Sequence, residues 1–122
     1  MLVLAAEEHQ PPASSFPGVR VLYCPLDDNG FSIKPEEWQR AVRCSQKVAD
    51  AVLQGKRVLV TCQQGINRSG LVTSLALWRL TGMAGGDVVA HVRAARPIAL
   101  RNQGFVRALT MLPADKSRRR SA

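Results

Sequence analysis

Strands alternating with helices predict an α/β fold in which helices flank a mostly parallel central sheet. Three observations carry that prediction. The run "RVLVT" (57–61) is almost continuously apolar and rich in β-branched residues, as strands buried on both faces are. The segments on either side of it place their apolar residues at helical spacing. Clusters of proline, glycine and serine separate these stretches and supply the turns. A length of 122 residues suits one domain with one core, and 46% apolar residues is the content of a globular chain.

In chain order, "MLVLAA" (1–6) and "VRVLYC" (19–24) read as short buried strands, with "EEHQPPASSFPG" (7–18) a surface loop between them. "PLDDNGF" (25–31) is a turn by composition. "KPEEWQRAVRCSQKVADAVLQGK" (34–56) reads as a helix, because Trp38, Ala41, Val42, Ser45, Val48, Ala49, Val52 and Leu53 fall on one face. Pro35 suits its first turn, Glu36 and Glu37 complement its positive end, and Gly55 suits the stop. After the strand at 57–61, a helix runs from about Ser69 to Leu80 and ends near Gly82. "GGDVVAHVRAA" (85–95) is a further helix with Asp87 as its N-cap, broken by Arg96-Pro97. "NQGFVRALTML" (102–112) is the last, capped by Asn102. Trp38 and Trp78 read as core anchors. The domain is therefore 1–113, and the basic stretch 114–122 reads as a disordered tail.

Net charge is +8, of which +3 lies in the last eight residues. The excess favours acidic substrates over basic ones; the tail reads as a solvated end, with an anionic partner as the alternative. No stretch reaches the length of a membrane span, and "MLVLAAEE" lacks the basic start of a signal peptide, so a cytoplasmic protein without a membrane partner is expected. Cys24, Cys44 and Cys62 are odd in number, and with His9 and His91 they show no metal-ligand spacing. Free thiols in a reducing compartment and no metal or other cofactor are the expectation.

The chemistry concentrates in "VLVTCQQGINRSGLV" (58–72). Read as a turn from a strand end to a helix start, "CQQGINR" lets backbone N–H groups from Gln63, Gln64, Gly65, Ile66, Asn67 and Arg68 converge on one point, joined by the positive helix terminus. Gly65 removes a side chain where the loop bends around an anion. Arg68 offers a planar fork matching two phosphate oxygens, which lysine does not copy. Cys62 would lie at the floor of the cradle, where the same dipoles lower a thiol pKa below its free value of about 8.5. Such a loop holds a phosphoryl group and presents a nucleophile to phosphorus.

Cys-x5-Arg followed by Ser resembles the signature of cysteine-dependent protein tyrosine phosphatases, and the surroundings are most similar to the dual-specificity branch. "PLDDNG" matches that branch's acid-bearing loop, "VLVTCQQGINRSG" its strand and phosphate loop, and "VRAARPIALRNQGFVRAL" its closing segment. The resemblance implies a three-layer sandwich, here with a short N-terminal side, since the strand pair and helix that precede "LVLAAEE" in similar domains have no counterpart. An open edge strand makes a weak dimer the alternative to a monomer. The resemblance further implies that Cys62 attacks phosphorus and that Arg68 holds the equatorial oxygens. It implies that Ser69 hydrogen-bonds the sulfur, with a helix cap as the plainer role. It selects Asp28 as general acid, with Asp27 as runner-up and a simple turn before Asn29-Gly30 as the plain alternative. Asn102 would steady the phosphate loop or serve only as a cap. Cys24 reads as a small core residue, with a protective disulfide to Cys62 as the alternative; Cys44 reads as packing and His91 as surface. Arg96 would bridge to a carboxylate or meet a second anionic group on a substrate.

One position departs from the pattern. The family's loop begins His-Cys, and here Thr61 stands before Cys62, keeping a hydroxyl but losing the imidazole that tunes the thiolate. The implied activity is hydrolysis of phosphate monoesters on proteins: phosphotyrosine, and also phosphoserine or phosphothreonine. Two alternatives follow. "NRSG" resembles the Asn-Arg-Thr-Gly of RNA 5'-phosphatases, although six aromatics in 122 residues are few for binding RNA. A phosphate-binding module without turnover is the other.

Overall fold

β1 (Leu2–Leu4) is the centre of a three-stranded sheet, with β2 (Val21–Tyr23) on one side and β3 (Leu59–Thr61) on the other. Both pairings are parallel, Leu2 lying opposite Val21 and opposite Leu59. This computed structural model describes residues 1–4, 11–26, 33–62, 67–115 and 117, with the backbone alone at 2 and 4. Parallel neighbours need crossovers, and helices supply the longer ones. Helix α1 (Pro35–Leu53) carries the chain from β2 to β3, and α2 (Arg68–Thr81), α3 (Gly85–Ala95) and α4 (Gln103–Thr110) follow. A 3-10 turn at Ala13–Ser15 precedes β2. The α/β class with a parallel sheet and flanking helices is thus as the sequence predicts. Among the helices α2 is central, touching α1, α3, α4 and β3.

The core is built where these elements meet. Val3 on β1 and Leu26 after β2 are fully buried, together with Leu71, Val72 and Leu75 of α2, Val88 of α3, and Phe105 and Leu109 of α4. Each such side chain contributes about 1.5–3 kcal/mol by leaving water. Packing α3 against the end of α4 demands a residue without a side chain: a Cβ on Gly85 would lie 1.7 Å from the Leu109 carbonyl oxygen. Gly82 ends α2 in the left-handed region, φ 69°, where glycine has no steric cost.

Boundaries and burial differ from the sequence reading at several points, each for a local reason. Among the described residues β2 and β3 are three residues long, shorter than expected, and β1 is described over Leu2–Leu4. β3 is not buried on both faces; Leu59 is 63% exposed, because this strand has a neighbour on one edge only among the described residues. On α1 the inward face includes Glu37, Ala41, Cys44, Ser45, Val48 and Ala49, whereas Val52 and Leu53 at its last turn run past the core and are exposed. Trp38 and Trp78 lie half-buried against the core edge, and the Trp78 indole N–H donates to the Pro113 carbonyl at 2.8 Å. Helix α3 starts earlier than its expected cap. Gly85 N–H donates to the Leu112 carbonyl, Ala84 is the N-cap, and Asp87 falls within the first turn, where its charge still suits the helix dipole. Asn102 caps α4 as expected, its side-chain oxygen accepting from Phe105 N–H at 3.1 Å. Of the tail predicted at 114–122, residues 116 and 118–122 lie outside the described residues.

Candidate active site

The carboxyl end of β3 delivers Cys62 to the rim of the sheet, and α2 begins six residues later at Arg68. In parallel sheets this is the edge where ligands sit. Asn67 is the N-cap of α2 and gives its carbonyl to Leu71 N–H at 2.8 Å, so the first turn's remaining N–H groups have no partner within the helix. Cys62 is half-buried, and its Sγ donates to Ser69 Oγ at 3.5 Å. Ser69 is buried inside the first turn of α2 and is not its cap. The sulfur and the hydroxyl are therefore held together at the positive end of a 14-residue helix.

Arg68 lies on the same turn. Its Nη1 donates to the Leu26 carbonyl at 3.4 Å, while its Nε is buried with no hydrogen-bond partner among the described residues. A buried guanidinium N–H without an acceptor is costly, and a bound oxyanion is the group that would satisfy it. Leu26 immediately precedes the paired aspartates in sequence. Arg40 of α1 holds the adjacent Pro25 carbonyl at 2.8 Å. Two guanidiniums thus fix the backbone leading into Asp27 and Asp28. Those two aspartates, and Gln63, Gln64, Gly65 and Ile66 of the expected cradle, lie outside the described residues.

The third support of the site comes from the segment before α4. Asn67 Oδ1 accepts from the backbone N–H groups of Arg101 and Asn102 at 2.6 and 2.7 Å. Sequence reasoning offered Asn102 as a support of the phosphate loop or as a cap; its side chain caps α4, and its backbone N–H donates to Asn67 of the loop. Leu100, just before, is fully buried with φ 59°, a left-handed conformation that costs a leucine about 1–2 kcal/mol. Burial of its side chain and the bond from Arg93 Nη2 to its carbonyl at 2.7 Å offset that cost. Leu100 also packs against α2 where Gly70 leaves room; a Cβ there would meet Leu100 Cδ2 at 3.1 Å. Neither Arg40 nor the Asn67 tie was visible in the sequence, since each spans more than ten residues and no local pattern marks it.

The remaining cysteines are separate from this machinery. Cys24 is fully buried, donates from Sγ to the Arg40 carbonyl at 3.9 Å, and shares a hydrogen bond with Cys44 of α1. That bond, with burial second, pushes the Cys24 thiol well above the ordinary range. The same bond draws the Cys44 pKa down against the effect of burial. All three cysteines are free, so the protective disulfide between Cys24 and Cys62 is not formed here. Thr61 Oγ1 donates to the Cys62 carbonyl at 3.3 Å. His91 and Arg96 are exposed on and after α3, and Arg96 lines the same groove as Cys62 and Ser69. Among the described residues no group of three metal-ligating side chains comes together, and no helix is long and apolar enough to cross a membrane.

Residues 4–113 match the family model for the dual specificity phosphatase catalytic domain. The Arabidopsis thaliana dual specificity protein phosphatase 1 is 36% identical over 66 residues, 54% of this chain and 33% of that protein. Human dual specificity protein phosphatase 15 is 40% identical over 53 residues, 43% of this chain and 18% of that protein. The chain thus matches a third or less of the length of these relatives. Among solved structures, DUSP15 superposes with a TM-score of 0.75 and 26% identity, covering 89% of this chain and 66% of that one. Human DUSP28 gives 0.74 and 28%, covering 88% and 70%.

Proposed function

We propose that this chain, which belongs to the dual specificity phosphatase family, hydrolyses phosphate monoesters on proteins through a phosphocysteine intermediate. The substrates are phosphotyrosine and also phosphoserine or phosphothreonine. The observation that carries the reading is the pairing of Cys62 Sγ with Ser69 Oγ beside an Arg68 Nε that is buried and without a partner among the described residues. A nucleophile and an anion-binding fork share one helix start. That is the minimum a phosphoryl-transfer pocket needs.

In the first step the Cys62 thiolate attacks phosphorus; the S–P bond forms as the bond to the tyrosine or serine oxygen breaks. Asp28, with Asp27 as the alternative, delivers a proton to the departing oxygen. Arg68 and the loop's N–H groups hold the equatorial oxygens, over which charge spreads in the transition state. In the second step water attacks phosphorus, gives its proton to the same carboxylate, and the S–P bond breaks. Ser69 stabilises the leaving thiolate by donating to sulfur, reversing the donor sense of the resting pair. Every step uses groups of this chain and water, so a chelator leaves the rate unchanged. A cytoplasmic setting, with its reducing thiol pool, suits a nucleophilic cysteine.

A substrate panel tests the reading. Wild type should release phosphate from phosphotyrosine and phosphothreonine peptides, and Cys62→Ser from neither. Asp28→Ala should slow alkyl substrates most and para-nitrophenyl phosphate least, because a good leaving group needs no proton. Equal loss in Asp27→Ala with none in Asp28→Ala reassigns the acid. Faster release from 5'-triphosphorylated RNA than from any peptide would replace protein with RNA as the substrate. Binding of phosphopeptide without turnover by wild type leaves only a phosphate-binding module.

A further inference from the structure

The peptide group joining Leu100 to Arg101 is held from both sides. Its carbonyl oxygen accepts from Arg93 Nη2 at 2.7 Å, and its N–H donates to Asn67 Oδ1 at 2.6 Å. No peptide bond among the described residues is cis, and in a planar trans peptide the C=O and N–H point in opposite directions. Arg93, in the last turn of α3, and Asn67, the N-cap of α2, therefore grip opposite ends of one rigid unit. Leucine does not choose the orientation of this unit unaided, because φ at Leu100 is 59°. Burial seats the Leu100 side chain beside Gly70, but the bond from Arg93 fixes the peptide plane itself. A guanidinium on the carbonyl also polarises the group, which strengthens the N–H as a donor at the far end. The next N–H, of Asn102, reaches the same Asn67 oxygen at 2.7 Å, and its two lone pairs accommodate both donors.

Asn67 adjoins Arg68, and its own carbonyl accepts from Leu71 N–H at 2.8 Å in the first turn of α2. A turn of the 100–101 peptide would therefore release the residue that leads into the anion-binding fork. Arg93 is exposed and is not among the residues lining the groove at Cys62 and Ser69, so it acts from outside the pocket. We propose that Arg93 is a positioning residue for the phosphate loop. By gripping the Leu100 carbonyl it aims the N–H groups of 101 and 102 at Asn67, and so fixes the turn that presents Arg68 to an oxyanion. The assignment rests on the phosphatase reading of that turn. Arg93 touches neither substrate nor sulfur; it raises affinity by holding the loop in its binding conformation beforehand. Its charge also suits the negative end of α3, a role that would support that helix without reaching Asn67.

Calorimetric titration of the full 122-residue chain with tungstate, a phosphate analogue, tests this without turnover. Arg93→Met keeps the aliphatic stem, removes the donor, and should weaken tungstate binding about fivefold. Arg93→Lys restores a charged donor and should recover affinity to within about twofold of wild type. In an Asn67→Ala background, Arg93→Met should change affinity by less than about twofold, because the link is already cut. Simple loss of a positive charge, or of support to α3, would instead weaken binding equally in both backgrounds. In NMR exchange measurements, the Arg101 and Asn102 amides should exchange at least about tenfold faster in Arg93→Met. The Arg96 amide, bonded to the Val92 carbonyl at the end of α3, should exchange as in wild type. Equal losses in the two backgrounds would overturn the proposal. So would tungstate affinity unchanged by Arg93→Met, or amides at 101 and 102 indifferent to it. Wild type that binds no tungstate would overturn the phosphatase reading as well, and that failure is distinct from a failure of Arg93 alone.

Discussion

Replacing Asn67 with alanine removes the acceptor for two backbone N–H groups, at 2.6 Å from Arg101 and 2.7 Å from Asn102. The two losses are unequal. Asn102 is buried, so its orphaned N–H loses about 1–3 kcal/mol; Arg101 is exposed, water replaces the bond, and the loss is about 0.5–1 kcal/mol. Asn67→Ala should therefore lower unfolding free energy in urea by about 2–3 kcal/mol with the slope unchanged, and the melting midpoint by roughly 10 °C. Asn67→Asp separates stability from binding. Its carboxylate keeps both acceptor bonds, so stability should stay within about 1 kcal/mol of wild type. It also places a negative charge next to Arg68, and inhibition by vanadate should weaken about tenfold, or about 1.4 kcal/mol. An alanine variant within about 0.5 kcal/mol of wild type refutes the claim that this tie joins the phosphate loop to the segment before α4. Equal vanadate inhibition of the aspartate variant and wild type refutes the claim that an anion binds there.

Two further predictions rest on packing and on the cysteines. Gly85→Ala should lower stability by at least about 2 kcal/mol, because its Cβ would collide with the Leu109 carbonyl, whereas Gly86→Ala, with nothing within 4 Å, should be neutral or stabilising by up to about 1 kcal/mol. Iodoacetamide on the folded protein should modify Cys62 first, with Cys24 and Cys44 protected until urea unfolds the chain. Because the Cys24 pKa is raised, the reactive thiolate stays scarce as pH climbs from 7 to 9, so its labelling should not rise as that of an ordinary thiol does.

The sequence showed the helices better than the sheet. The period of α1, the glycine stop of α2 and the Asn102 cap of α4 are local features, set by residues within a turn of one another. The strands were harder: "RVLVT" reads as buried on both faces by composition, but what covers this strand is decided by chain far away in sequence. In the site, Cys62, Arg68 and Ser69 were legible because one short loop carries them all. Their supports were not. Arg40 reaches Pro25 from α1, Asn67 reaches 101–102, and Leu100 accepts a left-handed backbone to fill the space Gly70 leaves. Each depends on tertiary placement that leaves no periodic trace. Cys24 shows the same limit. Its burial was foreseeable, but its pairing with Cys44 across β2 and α1 was not.

Acid quenching during turnover of a phosphotyrosine peptide, followed by mass spectrometry of the fragment containing residue 62, addresses the chemistry most directly. A phosphoryl group on the Cys62 sulfur in wild type, absent in Cys62→Ser and accumulating in a variant lacking the general acid, is the predicted result. Phosphate release at an undiminished rate by Cys62→Ser, with no adduct on any residue, would contradict it.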